Sequence, residues 1–312
     1  MKIPAIITAL VLVCALLIAG VFINSEVDNR TVVKFSSWGS QSETDVIKKF
    51  ILQFEKDNPN IKVEFIHIPQ NYFQKIQLLF ASGLESDVVF INNQNIPMYV
   101  NAGLLQDLSS YFNEENFYSQ SLDCFKFNGK LYAIPRDISN LVIYYNKDIF
   151  KSLNVKMPSK IKDIFELRQI AKNVTSKSNY GINYEENPLF WLYYLASNGG
   201  GVLGDDKKTI IINDEKSIEA LNLYADMINK DKSIPTKSDM GSMTGAQMFI
   251  NGKLAMYLSG RWMSPKFRET INFDWDVVEF PSPNKVYIDS SGWAVSKKSK
   301  HKDEAIALIK YL

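Results

Sequence analysis

Across residues 31–91 the spacing of apolar side chains alternates between the strand period of about 2 and the helix period of about 3.6. That alternation constrains the fold more than any other feature of the chain. Val32, Val33 and Phe35 predict a first strand, ending in Ser36-Ser37-Trp38-Gly39. Ser40 and Glu43 have capping-box spacing, so a helix opens there. Val46, Ile47, Phe50, Ile51 and Phe54 mark one face of it. Asn58-Pro59-Asn60 ends that helix, because the residue before a proline is pushed out of the α region. Ile61, Val63 and Phe65 alternate with Lys62 and Glu64 as a second strand. Tyr72, Phe73, Ile76, Leu79 and Phe80 give a second amphipathic helix with Gly83 near its end. Asp87-Val88-Val89-Phe90-Ile91 is an apolar run of the kind buried in a parallel sheet. The order β-α-β-α-β implies a doubly wound α/β lobe, whose ligand loops lie beyond the carboxyl ends of its strands.

A second constraint sits at Tyr132-Ala133-Ile134-Pro135, where proline is expected to stop a strand because it cannot donate to the ladder. A short polar loop follows, carrying Arg136, Asp137 and Asn140, and then the strand-like run Leu141-Val142-Ile143-Tyr144-Tyr145-Asn146. Strand, loop and strand read as a hinge between one α/β unit and another, with an ordinary surface loop as the alternative. The chain has 312 residues, enough for two cores. Its net charge of +1 gives no electrostatic case for nucleic acid. Two cysteines, Cys14 and Cys124, make no disulfide framework, and His67 and His301 are too few for a metal cluster or a histidine triad.

Residues 1–23 read as a signal peptide or membrane anchor, with Lys2 ahead of an uncharged apolar run. Cys14 invites lipidation, although Val13 stands where a small residue would precede an acylated cysteine. Residues 24–30 are a polar spacer, and export is the expectation. Beyond the hinge, helices are expected over 148–153, from Pro158 to Asn173, over 189–195, 217–229 and 244–251, with strands at 180–182 and 254–258. The run Asn198-Gly199-Gly200-Gly201 follows a helix and lacks phosphate-loop spacing. Residues 274–281 are read as a strand rejoining the first lobe, and 302–312 as a closing helix.

Trp38-Gly39, Phe54-Glu55-Lys56-Asp57-Asn58-Pro59-Asn60-Ile61-Lys62-Val63, Tyr72-Phe73-Gln74-Lys75-Ile76, Ala81-Ser82-Gly83 and Asp87-Val88 occur in that order. Tyr132-Ala133-Ile134-Pro135, Tyr144-Tyr145-Asn146-Lys147-Asp148-Ile149-Phe150 and Ser291-Gly292-Trp293-Ala294-Val295-Ser296 continue it. The whole set resembles the extracellular solute-binding proteins of ABC sugar importers. That resemblance implies a two-lobed periplasmic-binding-protein-like fold of the second type, each lobe a mixed sheet flanked by helices, joined by a multi-strand hinge. It places residues 31–140 plus 272–312 in the first lobe and 141–271 in the second. It also implies a saccharide ligand, a permease and an ATPase as partners, hinge closure without chemistry, and no cofactor. Relatives of this kind continue past the helix at 302–312 with further helices on the second lobe, so the chain is expected to be incomplete and to expose an apolar face there.

A sugar ring offers apolar faces to indoles and hydroxyls to amides and charged groups. The candidate ligand residues are therefore Ser37, Trp38, Gly39, Tyr72, Asn93, Arg136, Asp137, Trp191, Asn198, Arg261, Trp262, Gly292 and Trp293, with core packing the competing role for each aromatic ring. The same fold holding a peptide, polyamine or anion is one alternative. A secreted glycosidase is the other, and the sequence nominates no second carboxylate to work with Asp137.

Overall fold

The computed structural model describes residues 28–204, 206, 208–281 and 288–312. The apolar segment 1–23, Cys14 and spacer residues 24–27 lie outside the described residues. Among the described residues no helix is long and apolar enough to cross a membrane.

Strand β1, Thr31–Ser37, buries Val33 and Phe35 and turns Val32 and Lys34 outward. Helix α1, Gln41–Asp57, opens on the expected capping box: the Ser40 side chain accepts from the Glu43 amide and the Glu43 carboxylate accepts from the Ser40 amide. Strand β2 is Ile61–His67, helix α2 is Tyr72–Ser82, and β3 is Val88–Asn92. Gly83 closes α2 at φ 70°, a left-handed cap that a side chain would strain. A two-stranded hairpin, β4 at Lys126–Phe127 and β5 at Lys130–Leu131, precedes β6, Ile134–Ser139. Then come β7, Leu141–Asn146, β8, Met256–Gly260, β9, Trp275–Glu279, and β10, Asp289–Val295.

Apart from the β4–β5 hairpin, two sheets divide these strands. One has the order β2-β1-β3-β10-β6, the other β8-β7-β9. The first packs its core around Phe35, Phe54, Ile76, Val89 and Leu308. In the second, the pleat sends Ile143 and Tyr145 of β7 into a core with Phe150, Leu167 and Leu223. Tyr144 points the other way, against Phe249, Tyr257 and Phe267.

Three expectations are corrected. Pro135 does not stop the strand: it lies inside β6, which is the edge of its sheet, where a missing N–H costs no ladder bond. Arg136 and Asp137 after it are therefore strand, and only Asn140 lies between β6 and β7. The strand at 275–279 does not rejoin the first sheet, since Val277 and Val278 pair with Tyr144 and Ile143 of β7. The return crossing falls later, between Glu279 and Asp289, and β10 is the strand that comes back. Residues 158–162 are not helical, because Asp163 supplies the cap, accepting from the Glu166 amide, and the helix runs Ile164–Asn173.

Candidate ligand-binding site

Register places the site. β1 and β3 are parallel, and β10 runs antiparallel to both β3 and β6, so β1, β3 and β6 end on the same side of the first sheet. β6 stops at Ser139 and β7 begins at Leu141, so that side is where the chain crosses to the second sheet. There Leu141 pairs with Gly260 and Val142 with Glu279, which brings the carboxyl ends of β8 and β9 to the same crossing. Residues 180–183 track β8 in parallel through Tyr180 and Leu254, and Asn183 Oδ1 accepts from the Leu258 amide. Glu185 thus lies beside Asn183, Tyr257 and Gly245.

On the first-sheet side stand Trp38, Arg136, Asp137, Asn93 and Asp289. Trp38 is 40% exposed and rests against Phe90, ring centroids 6.1 Å apart. His67 Nε2 lies 2.9 Å from the Gly39 carbonyl and steadies the loop after Trp38. Arg136 lies over Phe90 and Trp293, 5.3 and 5.5 Å from the ring centroids, and its Nη2 reaches Glu43 Oε1 at 3.2 Å. Asp137 Oδ2 accepts from Arg136 Nε at 2.9 Å and Ser291 Oγ at 2.6 Å, while Oδ1 accepts the Ser291 amide at 3.0 Å. A carboxylate oxygen has two lone pairs, so Oδ1 keeps one for a ligand hydroxyl.

Asp289 opens β10 and pairs with Ser139, two positions along from Asp137, which pairs with Ser291. The two carboxyls therefore share a face at diagonal positions, roughly 7–8 Å between backbones. Burial pushes the Asp289 carboxyl up to about 6, and the Asp137 charge adds to it, partly offset by Gln94 and the Ser290 amide. Burial likewise raises Glu185 on the other side, where Asn183 and Tyr257 donate to it.

The second-sheet side offers Arg261 and Trp262, both exposed, Trp262 at 39%. The indole lies flat on the α-carbon of Gly260: a Cβ there would sit 1.9 Å from Cζ3. Tyr144 holds that backbone by donating to the Gly260 carbonyl at 3.0 Å. Trp191 is one turn into the helix Pro188–Ser197 and packs part-buried against the second core.

Several expected residues serve the scaffold instead. Trp293 is 3% exposed, edge-on to Phe35 at 4.9 Å, because it lies mid-strand in β10 between two paired neighbours. Tyr72, also 3% exposed, donates to the Ser36 carbonyl at 3.1 Å, and Ser37 is fully buried. Gly292 is small because β6 passes close, with a Cβ meeting the Ile134 carbonyl oxygen at 2.4 Å. Asn93 donates to the Ile288 carbonyl at 2.9 Å and so braces the return crossing. Asn198 ends its helix, roughly 15 Å along from the residues at its start, and its amide joins the Lys216 carbonyl and Glu219.

Sequence reading missed Glu43, Glu185 and Asp289 as residues of this region. Glu43 was legible only as a cap, and Asp289 becomes a candidate once the crossing is moved to its position. Two surface cavities are present, and one of them reaches the site at Arg136. One of about 720 Å³ runs past Phe165, Ile218 and Leu223, and one of about 410 Å³ past Phe117, Arg136 and Leu312. Neither is lined by Trp38 or Trp262.

Two α/β lobes are thus joined by crossings that carry polar and aromatic side chains on both sides. Residues 39–312 match the family of bacterial extracellular solute-binding proteins, and the chain belongs to it. Three Brucella proteins described as binding proteins are 25% identical over 272 residues, covering 83% of this chain and 66% of theirs. The chain thus spans about two thirds of the length of those relatives. The multiple sugar-binding protein of Streptococcus mutans is 26% identical over 312 residues, 92% of this chain and 72% of its own. An ABC substrate-binding protein of Listeria monocytogenes, solved in complex with cycloalternan, is 28% identical with a TM-score of 0.83, over 90% of this chain and 75% of its own.

Proposed function

We infer that this chain captures a saccharide between its two sheets and presents it to the permease and ATPase of an ABC importer. The observation that carries the reading is the pair of half-exposed indoles, Trp38 and Trp262, at the facing ends of the two sheets. Both stand beside groups that exchange hydrogen bonds with hydroxyls. The sugar-binding name of the streptococcal relative and the cycloalternan in the Listeria complex support the same ligand class.

Each lobe has its own core, so the lobes can move as bodies about the crossing at residues 139–141 and the return of the chain to the first sheet at Asp289. Saccharide held on one side recruits the other only through contacts made in the closed form. The working division assigns residues 31–139 and 289–312 to the first lobe and 141–279 to the second. The apolar segment 1–23 would direct export, as a cleaved signal peptide, as an uncleaved anchor at the outer face of the membrane, or through a lipid on Cys14.

A thermal-shift panel of mono-, linear and cyclic oligosaccharides tests the reading. A saccharide present at a hundred times its dissociation constant adds about 2.7 kcal/mol of stability. Stabilisation by amino acids, polyamines or phosphate esters, with none by any saccharide, would assign the cleft to another solute.

A further inference from the structure

The pairing of β6 with β10 is irregular at one place. Asp137 faces Ser291 and Pro135 faces Gly292, so Arg136 is an extra residue with no partner in the ladder. Such a bulge bends the strand and re-aims a side chain. In a regular strand Arg136 and Asp137 would point to opposite faces. Here the Arg136 guanidinium bonds the carboxylate of its own neighbour, Nη2 to Oδ2 at 2.8 Å, and also reaches α1 across the sheet end.

What it reaches is specific. The Glu43 carboxylate that accepts Arg136 is the one whose Oε2 accepts the Ser40 amide at 2.8 Å and Ser40 Oγ at 2.9 Å. The loop from Ser37 to Ser40 carries Trp38. Asp137, on the other side, takes two bonds from Ser291 of the returning strand. The flat of the guanidinium also lies over Phe90, the ring on which Trp38 rests. One side chain thus ties the Trp38 loop, its aromatic support and both crossing strands together.

We propose that Arg136 is a positioning residue for ligand capture: it holds the Trp38 loop in its binding geometry and couples that loop to the strands that enter and leave the hinge. This deepens the saccharide reading and rests on it for the ligand, but not for the loop. Arginine suits the task because its planar fork bonds two carboxylates while its face lies on aromatic rings, which lysine cannot reproduce.

Two variants and two readouts test it. Glu43→Gln preserves the capping box, since glutamine caps as well as glutamate, but removes the charge that Arg136 bonds. Arg136→Met keeps the stem and removes the fork. In the ligand-free full chain, amide hydrogen exchange over residues 37–43 should quicken about tenfold or more in either variant, with α2 unchanged. If Arg136→Met fails to fold, Glu43→Gln alone decides. Unaltered exchange in that segment would overturn the proposal. With maltotriose as the probe, Arg136→Met should raise the dissociation constant roughly three- to thirtyfold in the wild-type background and under about twofold in Trp38→Ala. Effects that multiply in the double variant would also overturn it. If wild type binds no maltotriose, the exchange result still decides the role of Arg136, and only the choice of ligand has failed.

Discussion

Replacing Gly260 by alanine isolates one contact of the proposed site. The backbone there has φ −91° and ψ 172°, an extended conformation open to any residue, so alanine brings no dihedral strain. The added Cβ would lie 1.9 Å from Cζ3 of Trp262 and 2.2 Å from Cε3 and Cη2. Ordinary contact begins near 3.4 Å, so something must retreat by about 1.5 Å. The backbone is held by the buried Tyr144, which bonds the Gly260 carbonyl and Ser264 Oγ. The indole is 39% exposed and free on its outer face. The ring is therefore what moves. Overpacking costs about 1–3 kcal/mol in a closed core. A ring that can swing toward solvent falls at the low end, about 1 kcal/mol, or a melting point lower by roughly 2–4 °C. The assay is urea denaturation of wild type, Gly260→Ala, Trp262→Ala and the double variant. With Trp262 absent the clash is gone, and Gly260→Ala should then cost less than about 0.5 kcal/mol. An equal cost in both backgrounds would refute the stacking geometry, and so would no cost in either.

Other outcomes follow from the same contacts. Trp38→Ala and Trp262→Ala should each weaken saccharide binding by about 1–3 kcal/mol, measured by fluorescence titration, while ligand-free melting changes far less. Trp293→Ala should do the reverse, costing about 3–5 kcal/mol of stability by denaturation while the folded fraction binds normally. Asp289, with its carboxyl raised from 3.8 to about 6, holds its proton more tightly folded than unfolded, so ionising it penalises the native state and stability falls as pH rises from about 4 through 6. The groups facing it are Asp137, Gln94, Ser290, Cys124 and Tyr193. Asp289→Asn should then match wild type near pH 3.5 and exceed it at pH 7.5 by at most about 3 kcal/mol in urea melts. Equal stability at both pH values would mean the native carboxyl titrates normally.

The first lobe was legible because its signals are local. Ser40 and Glu43 cap α1 as their spacing implies, and the alternation of Val33, Phe35 and Lys34 appears in the burial of β1. What sequence could not carry was partnership. Nothing near Pro135 says that β6 lies on a sheet edge, and nothing in residues 274–281 distinguishes pairing with β7 from pairing across the hinge. The glycine before Trp293 resembled the glycine two residues before Trp262, yet one accommodates a neighbouring strand and the other an indole. Arg136 was noticed for its charge, but its contacts with Glu43, Phe90 and Trp293 arise from a bulge that only the register reveals. Glu185 and Asp289 acquire meaning only when sheet ends distant in sequence are brought to one crossing.

Calorimetric titration of the full chain with linear and cyclic gluco-oligosaccharides tests the central claim most directly, because heat reports both binding and turnover. The account predicts that at least one of these saccharides gives a saturating isotherm at one per chain, with the baseline returning to its starting level after every injection. Folded protein that gives no heat with any of them, or a baseline that stays displaced in proportion to added saccharide as bonds are hydrolysed, would contradict it.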